Sequence, residues 1–311
     1  MITLNLTVPL AVEFENAADY FIIITNLIIA TSSVLVSVAV VLGILCKKSL
    51  RTQNRFIFML NTSISDTLSG FGSYYIGLFD VQEGYPSRNG TYYIVSTLLG
   101  VNIITIMSAQ VDRFLAVVYP YAYSRYITRT VVIEVCAFCW FYNYFFLMIQ
   151  NLVTVDVAAK MNAYGILSLQ GIILAKVLMN VKLYLIAKYQ IAREPPGPER
   201  DSKQESLRLI IVVVVCFLAL WTPYFYCTLL IEIIKSGYLF KNNANDPLAM
   251  MLRFTSTCTP GLYIWGSPAL REAVLKTVLG IICPPLRKRI GPQSKSSCKL
   301  YGEIPSITKG N

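Results

Sequence analysis

The sequence predicts an all-α membrane protein: a seven-transmembrane helix bundle with a short amphipathic eighth helix. Three observations predict it. Of 311 residues, 55% are hydrophobic and only 14% charged, more apolar surface than a soluble core of this size can bury. The apolar residues gather into seven runs, each near or above the roughly 20 residues a helix needs to cross a hydrocarbon core of about 30 Å. Lys and Arg are shared unequally among the stretches that join the runs, the asymmetry by which membrane proteins are oriented.

The runs lie at 20–46, 56–79, 91–119, 130–153, 162–189, 207–234 and 247–265. The fifth holds Lys176 and Lys182, and it is assigned partly because the fourth and sixth runs require a return crossing. The seventh holds Arg253 and Pro260, which a helix among neighbours tolerates better than one facing lipid. Beyond it, Leu270, Val274, Leu275, Val278 and Leu279 form an apolar face opposite Arg271, Glu272 and Lys276, the pattern of a helix lying in the membrane interface. The chain therefore divides into an N-terminal segment over 1–19, the bundle over 20–265, the amphipathic helix over 266–283 and a tail over 284–311.

Placing the N-terminus outside puts 21 of the 27 Lys and Arg on the cytoplasmic side, as basic loops require. The N-terminal segment is acidic through Glu13, Glu15 and Asp19. It carries the glycosylation acceptor Asn5-Leu6-Thr7, and a second, Asn89-Gly90-Thr91, also falls outside, close to a span. The first 19 residues lack the basic start and apolar run of a cleavable signal peptide, so the first span is expected to direct insertion. The net charge of +10 is distributed as in a membrane protein facing an anionic leaflet, and nucleic acid is rejected as a partner. With no histidine in the chain, a histidine general base, proton relay or metal centre is excluded. The eight cysteines have no zinc-site spacing.

Several motifs follow one another along the runs. The third ends in Asp112-Arg113-Phe114-Leu115-Ala116-Val117-Val118-Tyr119-Pro120-Tyr121. Asp66 sits in the middle of the second, where a carboxylate is costly and is expected to face the bundle interior. Trp140 follows Arg113 by twenty-seven residues. The sixth run contains Phe217-Leu218-Ala219-Leu220-Trp221-Thr222-Pro223, and the seventh ends in Thr259-Pro260-Gly261-Leu262-Tyr263. In order and separation these resemble the rhodopsin-like (class A) G-protein-coupled receptors over about residues 20–283, with Phe114, Leu220 and Thr259 departing from the family pattern.

The resemblance implies a multi-pass plasma-membrane receptor that is not an enzyme and that passes an extracellular signal to a heterotrimeric G protein. Asp112, Arg113, Phe114, Trp221, Pro223, Pro260 and Tyr263 would be its activation and coupling residues, with the Arg113 charge held by Asp112 at rest. Asp66, Asn102, Ser256 and Thr259 would be candidates for an allosteric sodium ion, whose preference is for oxygen ligands. The plainer reading makes Asp66 a protonated, hydrogen-bonded core residue. By register, Val95, Leu99, Tyr224, Phe225, Thr228 and Arg253 are ligand-pocket candidates, and Cys283 is either a palmitoylation point or a free thiol.

Val95 stands where amine receptors carry an Asp, so a protonated amine is disfavoured. Arg253 with Lys176 could attract a carboxylate or phosphate, or Arg253 could pair with Glu232 or Asp246 or reach toward solvent. The cysteine that usually ties the outer end of the third helix is replaced by Arg88, and the fifth run lacks the usual proline; in lacking the proline the chain resembles the melanocortin, cannabinoid and lysolipid receptors, and in lacking the cysteine the melanocortin receptors. Lys203 stands where many members carry an acid that restrains the third-helix arginine, which predicts ligand-free signalling. Two rivals remain open: a receptor-like protein that does not signal, and a seven-span transporter or channel using Asp66, Asn102 and Lys176.

Overall fold

In the computed structural model, residues 8–81, 94–192, 212, 215–227, 230 and 242–282 are described. Their helices are α1 (Ala17–Cys46), the single turn α2 (Lys48–Arg51), α3 (Asn54–Leu78), α4 (Ile94–Val118), α5 (Pro120–Tyr126), α6 (Arg129–Leu152), α7 (Val155–Ala192), α8 (Val215–Cys227), α9 (Pro247–Gly266) and α10 (Pro268–Ile282). Seven of them, α1, α3, α4, α6, α7, α8 and α9, fall on the seven apolar runs. Among the described residues there is no strand, only an isolated antiparallel bridge between Leu10 and Phe79.

The helix starts follow local chemistry. Asp19 reaches back to accept from the amide of Asn16 at 3.4 Å, a capping interaction that uses one of the free donors of α1. Thr128 caps α6 by accepting from Val131 N at 3.4 Å. At α9, Asp246 accepts from Leu248 N at 2.9 Å and Pro247 takes the first helical position, where its missing N–H costs nothing.

By length and composition, α1, α4, α6 and the Asp156–Tyr189 stretch of α7 can each cross a bilayer. Their outward faces are apolar. Phe138, Phe141 and Phe145 line one side of α6, and Leu167, Leu174, Leu178 and Leu185 one side of α7, all exposed at the spacing of a helix face. So continuous an apolar surface fits lipid as its solvent. Helices α3 and α9 are more polar because of what they bury: Asn61, Thr62, Ser63, Ser65, Asp66, Ser69 and Ser73 on α3, Arg253, Thr255 and Ser256 on α9. Polar atoms turned toward other helices find partners there that lipid lacks.

Helix α1 packs along α3 and α9, α4 fits between α3, α6 and α7, and α10 lies against the end of α1. Close approach of α1 to α3 requires Gly70, where a Cβ would stand 2.7 Å from Val34 Cγ2. Two apolar cores result. One, at the end of the bundle that carries the N-terminal segment, joins Ile76, Val95, Leu99, Ile103, Ile173, Phe217, Trp221, Phe225 and Leu252 from five helices. The other, at the Arg113 end, joins Val40, Ile44, Leu50, Phe56 and Met59 to Leu270, Ala273 and Val274 of α10. Leu275, expected on the same face of α10, is exposed instead, beside Lys276. The α3 polar residues lie between the two cores.

The start of α7 differs from the sequence expectation. Helix α7 is 38 residues long, roughly 57 Å at about 1.5 Å per residue, and only Val153 and Thr154 separate it from α6. The stretch expected to be an extracellular loop before residue 162 is helical, so a disulfide-bearing loop has no room there. The sixth run is described only over its central part.

Candidate functional site

At the Arg113 end, α3, α4 and α9 enclose a small cavity lined by Arg55, Phe58, Met59, Ala109, Asp112, Arg113 and Tyr263. Arg113 is exposed, and among the described residues no carboxylate lies within 4 Å of it. Asp112 stays within electrostatic reach of Arg113 but makes its hydrogen bond elsewhere: the Tyr123 hydroxyl on α5 donates to Asp112 Oδ1 at 3.0 Å, and Asn54 Nδ2 donates to the same phenol at 3.4 Å. Burial pushes the Tyr123 phenol above its ordinary value, and the Asp112 charge adds to this against the Asn54 bond. Phe114 lies beneath the Lys182 ammonium, 5.2 Å from its ring centre. The Tyr263 and Thr62 hydroxyls share a 3.1 Å hydrogen bond.

Pro260 within α9 has no N–H for the carbonyl of Ser256. The hydroxyl of Ser37 on α1 donates to that carbonyl at 3.3 Å, so the break in the ladder is filled from a neighbouring helix. Ser37 was not legible as a functional residue, since cross-helix register is not written in a single sequence.

Between the cores, Asn102 Nδ2 donates to Asp66 Oδ1 at 2.5 Å. The other carboxylate oxygen, Asn102 Oδ1, and the hydroxyls of Ser63, Ser69 and Ser256 are buried without a hydrogen-bond partner. The Ser256 hydroxyl faces the Asp66 carboxylate without the geometry of a full bond. The unpartnered carboxylate oxygen, with the Asn102 and Ser256 oxygens beside it, suits a hard cation of low charge, which supplies the positive partner that nearby donors do not. The chemistry of Asp66, Asn102 and Ser256 therefore fits a sodium ion; Thr259 is half-buried further along α9. Among the described residues no cluster of His, Cys, Asp and Glu suits another metal. Alongside, Trp140 Nε1 donates to Asn61 Oδ1 at 2.7 Å, and Asn61 Nδ2 donates to Thr105 at 2.8 Å, joining α6, α3 and α4.

At the other end Trp221 is buried in a stack, its ring centre 5.6 Å from Phe217 and 5.3 Å from Phe225, with Tyr224 edge-on to Phe225. Val95, Leu99, Tyr224 and Phe225 share this cluster, and Pro223 sits within the same helix. Lys176 is 5% exposed, its ammonium 3.1 Å from the centre of the Phe217 ring. Arg253 is turned elsewhere. It donates to Ala249 O at 3.2 Å and Asn243 O at 2.9 Å, and packs over Gly77, where a Cβ would lie 2.9 Å from its guanidinium. Asp246 meanwhile caps α9. Thr228, Asn5, Asn89 and Cys283 lie outside the described residues, as do Lys203, Arg88 and Glu232.

A helical membrane bundle with an Asp-Arg pair closing one helix, a buried carboxylate among hydroxyls and prolines within two helices defines a class of signalling receptor. The family model for the 7 transmembrane receptor (rhodopsin family) matches residues 37–263, and the chain belongs to that family. Relatives include the rat somatostatin receptor type 5, 23% identical over 71% of this chain and 68% of its own length. The C3a anaphylatoxin chemotactic receptor of Oncorhynchus mykiss is 24% identical over 78% of this chain and 75% of its own length. The human type-2 angiotensin II receptor is 23% identical over 87% of this chain and 82% of its own length. The protein is thus a multi-pass membrane receptor, and its relatives are named for different ligands.

Proposed function

We propose that this receptor carries an extracellular, non-amine signal to a heterotrimeric G protein, with the N-terminus outside and the Arg113 end in the cytoplasm of a plasma-membrane protein. The observation that carries the reading is the state of Arg113: exposed at the end of α4, with no carboxylate within 4 Å among the described residues, on the rim of a cavity shared with Asp112 and Tyr263. An arginine so placed is free to enter a partner's contact surface. Asp112, Phe114 and Pro260 shape that end, while Trp221 and Pro223 form the lever through which the apolar cluster shifts the inner half of the sixth span.

Val95, Leu99, Tyr224 and Phe225 would line the ligand site. Val95 supplies no counter-charge for an amine, although one relative matched over a shorter stretch, 40% of this chain, is the human trace amine-associated receptor 1. Lys176 favours an anionic group over a cationic one. Asp66, Asn102, Ser256 and Thr259 would hold sodium, whose charge would favour the resting arrangement of α3, α4 and α9. Asn5 and Asn89 would carry glycans, Cys283 a palmitoyl chain. The experiment is basal nucleotide exchange across the main G-protein classes in cells expressing the chain, beside Arg113→Ala at matched surface level. Loss of signal in the variant supports coupling through Arg113. Equal silence in both, at full surface display and with candidate anionic lipids and peptides supplied, supports a receptor-like protein that does not signal.

A further inference from the structure

At the end of the bundle opposite Arg113, the chain's own N-terminal segment packs against α1, the end of α3 and the residues before α9. Residues 9–12 run antiparallel to the end of α3: Ala11 N donates to Leu78 O at 2.9 Å, and Asp80 N donates to Pro9 O at 2.9 Å. These two bonds flank Leu10 and Phe79, making them a non-hydrogen-bonded antiparallel pair, the kind whose side chains stand closest. The segment also supplies a donor to a carbonyl in the last turn of α3, which the helix itself leaves bare. Asn242, just before α9, is buried and donates to Ala11 O at 3.2 Å and Asp80 Oδ1 at 2.9 Å, while its own Oδ1 accepts from Asn245 N at 3.0 Å. Asn243 N donates to Val81 O at 3.2 Å. Ala11 and Val12 are buried with Ala244 against Ile22 and Ile23 of α1. Val8 packs on the apolar cluster around Trp221.

We propose that this mouth is a peptide-binding site whose occupant is the chain's own segment 8–12, a tethered strap that ties α1, α3 and the start of α9 together and covers the cluster around Trp221. The arrangement is that of a bound peptide: main-chain bonds to the backbone at the end of α3, apolar side chains seated on helices, and one buried amide reading the strap carbonyl. Because the occupant is covalently attached, its effective concentration is high, and a diffusing ligand reaches the cluster from this side only by displacing it. The strap also explains how the mouth is held without a disulfide in the short turn between α6 and α7.

The test reads access, not signalling. Leu252, buried in the cluster, is replaced by Cys, and its labelling by a charged thiol reagent is followed above the background of the parent's own thiols. The measurement is made on intact cells and on permeabilised membranes, in Leu252→Cys alone and with Asn242→Ala added. The strap predicts at least tenfold faster labelling when Asn242 is lost. A separate variant, Leu10→Cys with Phe79→Cys, should cross-link on mild oxidation without loss of surface display, which holds the proposal to account if Asn242→Ala fails to fold. Equal labelling with and without Asn242, or a displayed Leu10→Cys/Phe79→Cys chain that does not cross-link, overturns the strap. An inverted orientation would show as labelling only after permeabilisation, with the ratio between variants still reporting the strap, and a chain that activates no G protein gives the same readings.

Discussion

Tyr123, on the short helix after the third span, holds Asp112 by a 3.0 Å hydrogen bond and leaves the adjacent Arg113 without a carboxylate among the described residues. The pair separates two charges that adjoin in sequence. A net hydrogen bond to a charged group contributes roughly 1.5–3 kcal/mol, so removing this one should let Asp112 turn toward Arg113. Basal nucleotide exchange in Tyr123→Phe should therefore fall, by about tenfold for about 1.4 kcal/mol of added restraint. Exchange equal to or above that of the parent at matched surface level would mean that Tyr123 does not hold the arginine free.

The same phenol sets a pH dependence. Its folded value lies above its ordinary one, through burial first and the Asp112 charge after it, so its contribution is fully present below the ordinary tyrosine range and is lost as pH rises through the raised folded value. Thermal midpoints of parent and Tyr123→Phe in detergent should differ by a constant amount between pH 6 and about 9 and converge only in strong alkali. A difference that vanishes on going from pH 9 to pH 6 would contradict the assignment.

Asp66 and its orphaned oxygens predict a sodium-specific stabilisation. At sodium ten times the dissociation constant, binding adds about 1.4 kcal/mol to the folded state, a shift of a few degrees. Exchange of potassium for sodium at constant ionic strength should raise the thermal midpoint of the parent and leave Asp66→Asn unmoved. Equal responses in the two proteins would leave Asp66 as a hydrogen-bonded core residue and nothing more.

The all-helical class and its apolar helices were legible because lipid imposes length and apolar composition on each helix separately, and each can be read alone. The motifs that carry the family resemblance were legible for a related reason: Asp112-Arg113, Trp221-Pro223 and Pro260-Tyr263 are local in sequence. What could not be read is how side chains meet across helices. Arg253, placed toward the pocket by register, donates to Asn243 O before α9 and to Ala249 O in its first turn, and packs over Gly77. Adjacency in sequence gave no sign that Asp112 also accepts a hydrogen bond from Tyr123 on α5, because a helix turns neighbouring side chains about 100° apart and only the fold shows which side Tyr123 takes. Leu10 and Phe79 carry no signal of their pairing at all.

Ser37 offers a test of how Pro260 is accommodated. Its hydroxyl supplies the donor that proline denies to Ser256 O, and a buried carbonyl left bare costs about 1–3 kcal/mol. Ser37→Ala should lower the thermal midpoint, and Ser37→Ala with Pro260→Ala should lower it less than the sum of the two, since an alanine at 260 restores the amide. Strict additivity of the two changes would show that Ser37 and Pro260 are uncoupled.

Lys176 sets two effects against each other. Its ammonium lies 3.1 Å from the centre of the Phe217 ring, a cation–π contact that contributes about 0.5–2 kcal/mol. It is also 5% exposed with no carboxylate within 4 Å among the described residues, and burying an ion costs several kcal/mol after relaxation. The cost is the larger quantity, so a methionine of similar length, packing its thioether on the same ring, should stabilise the protein. Lys176→Met is expected to raise the thermal midpoint by a few degrees while Phe217→Ala lowers it through a lost aromatic stack with Trp221. A fall in Lys176→Met as large as that in Phe217→Ala would show that the ammonium holds α7 to α8, and would require an anionic partner for it beyond the ring. If the first outcome is found, the retention of so costly a charge points to use rather than stability, and an anionic ligand that restores the parent's midpoint to that of Lys176→Met would identify that use.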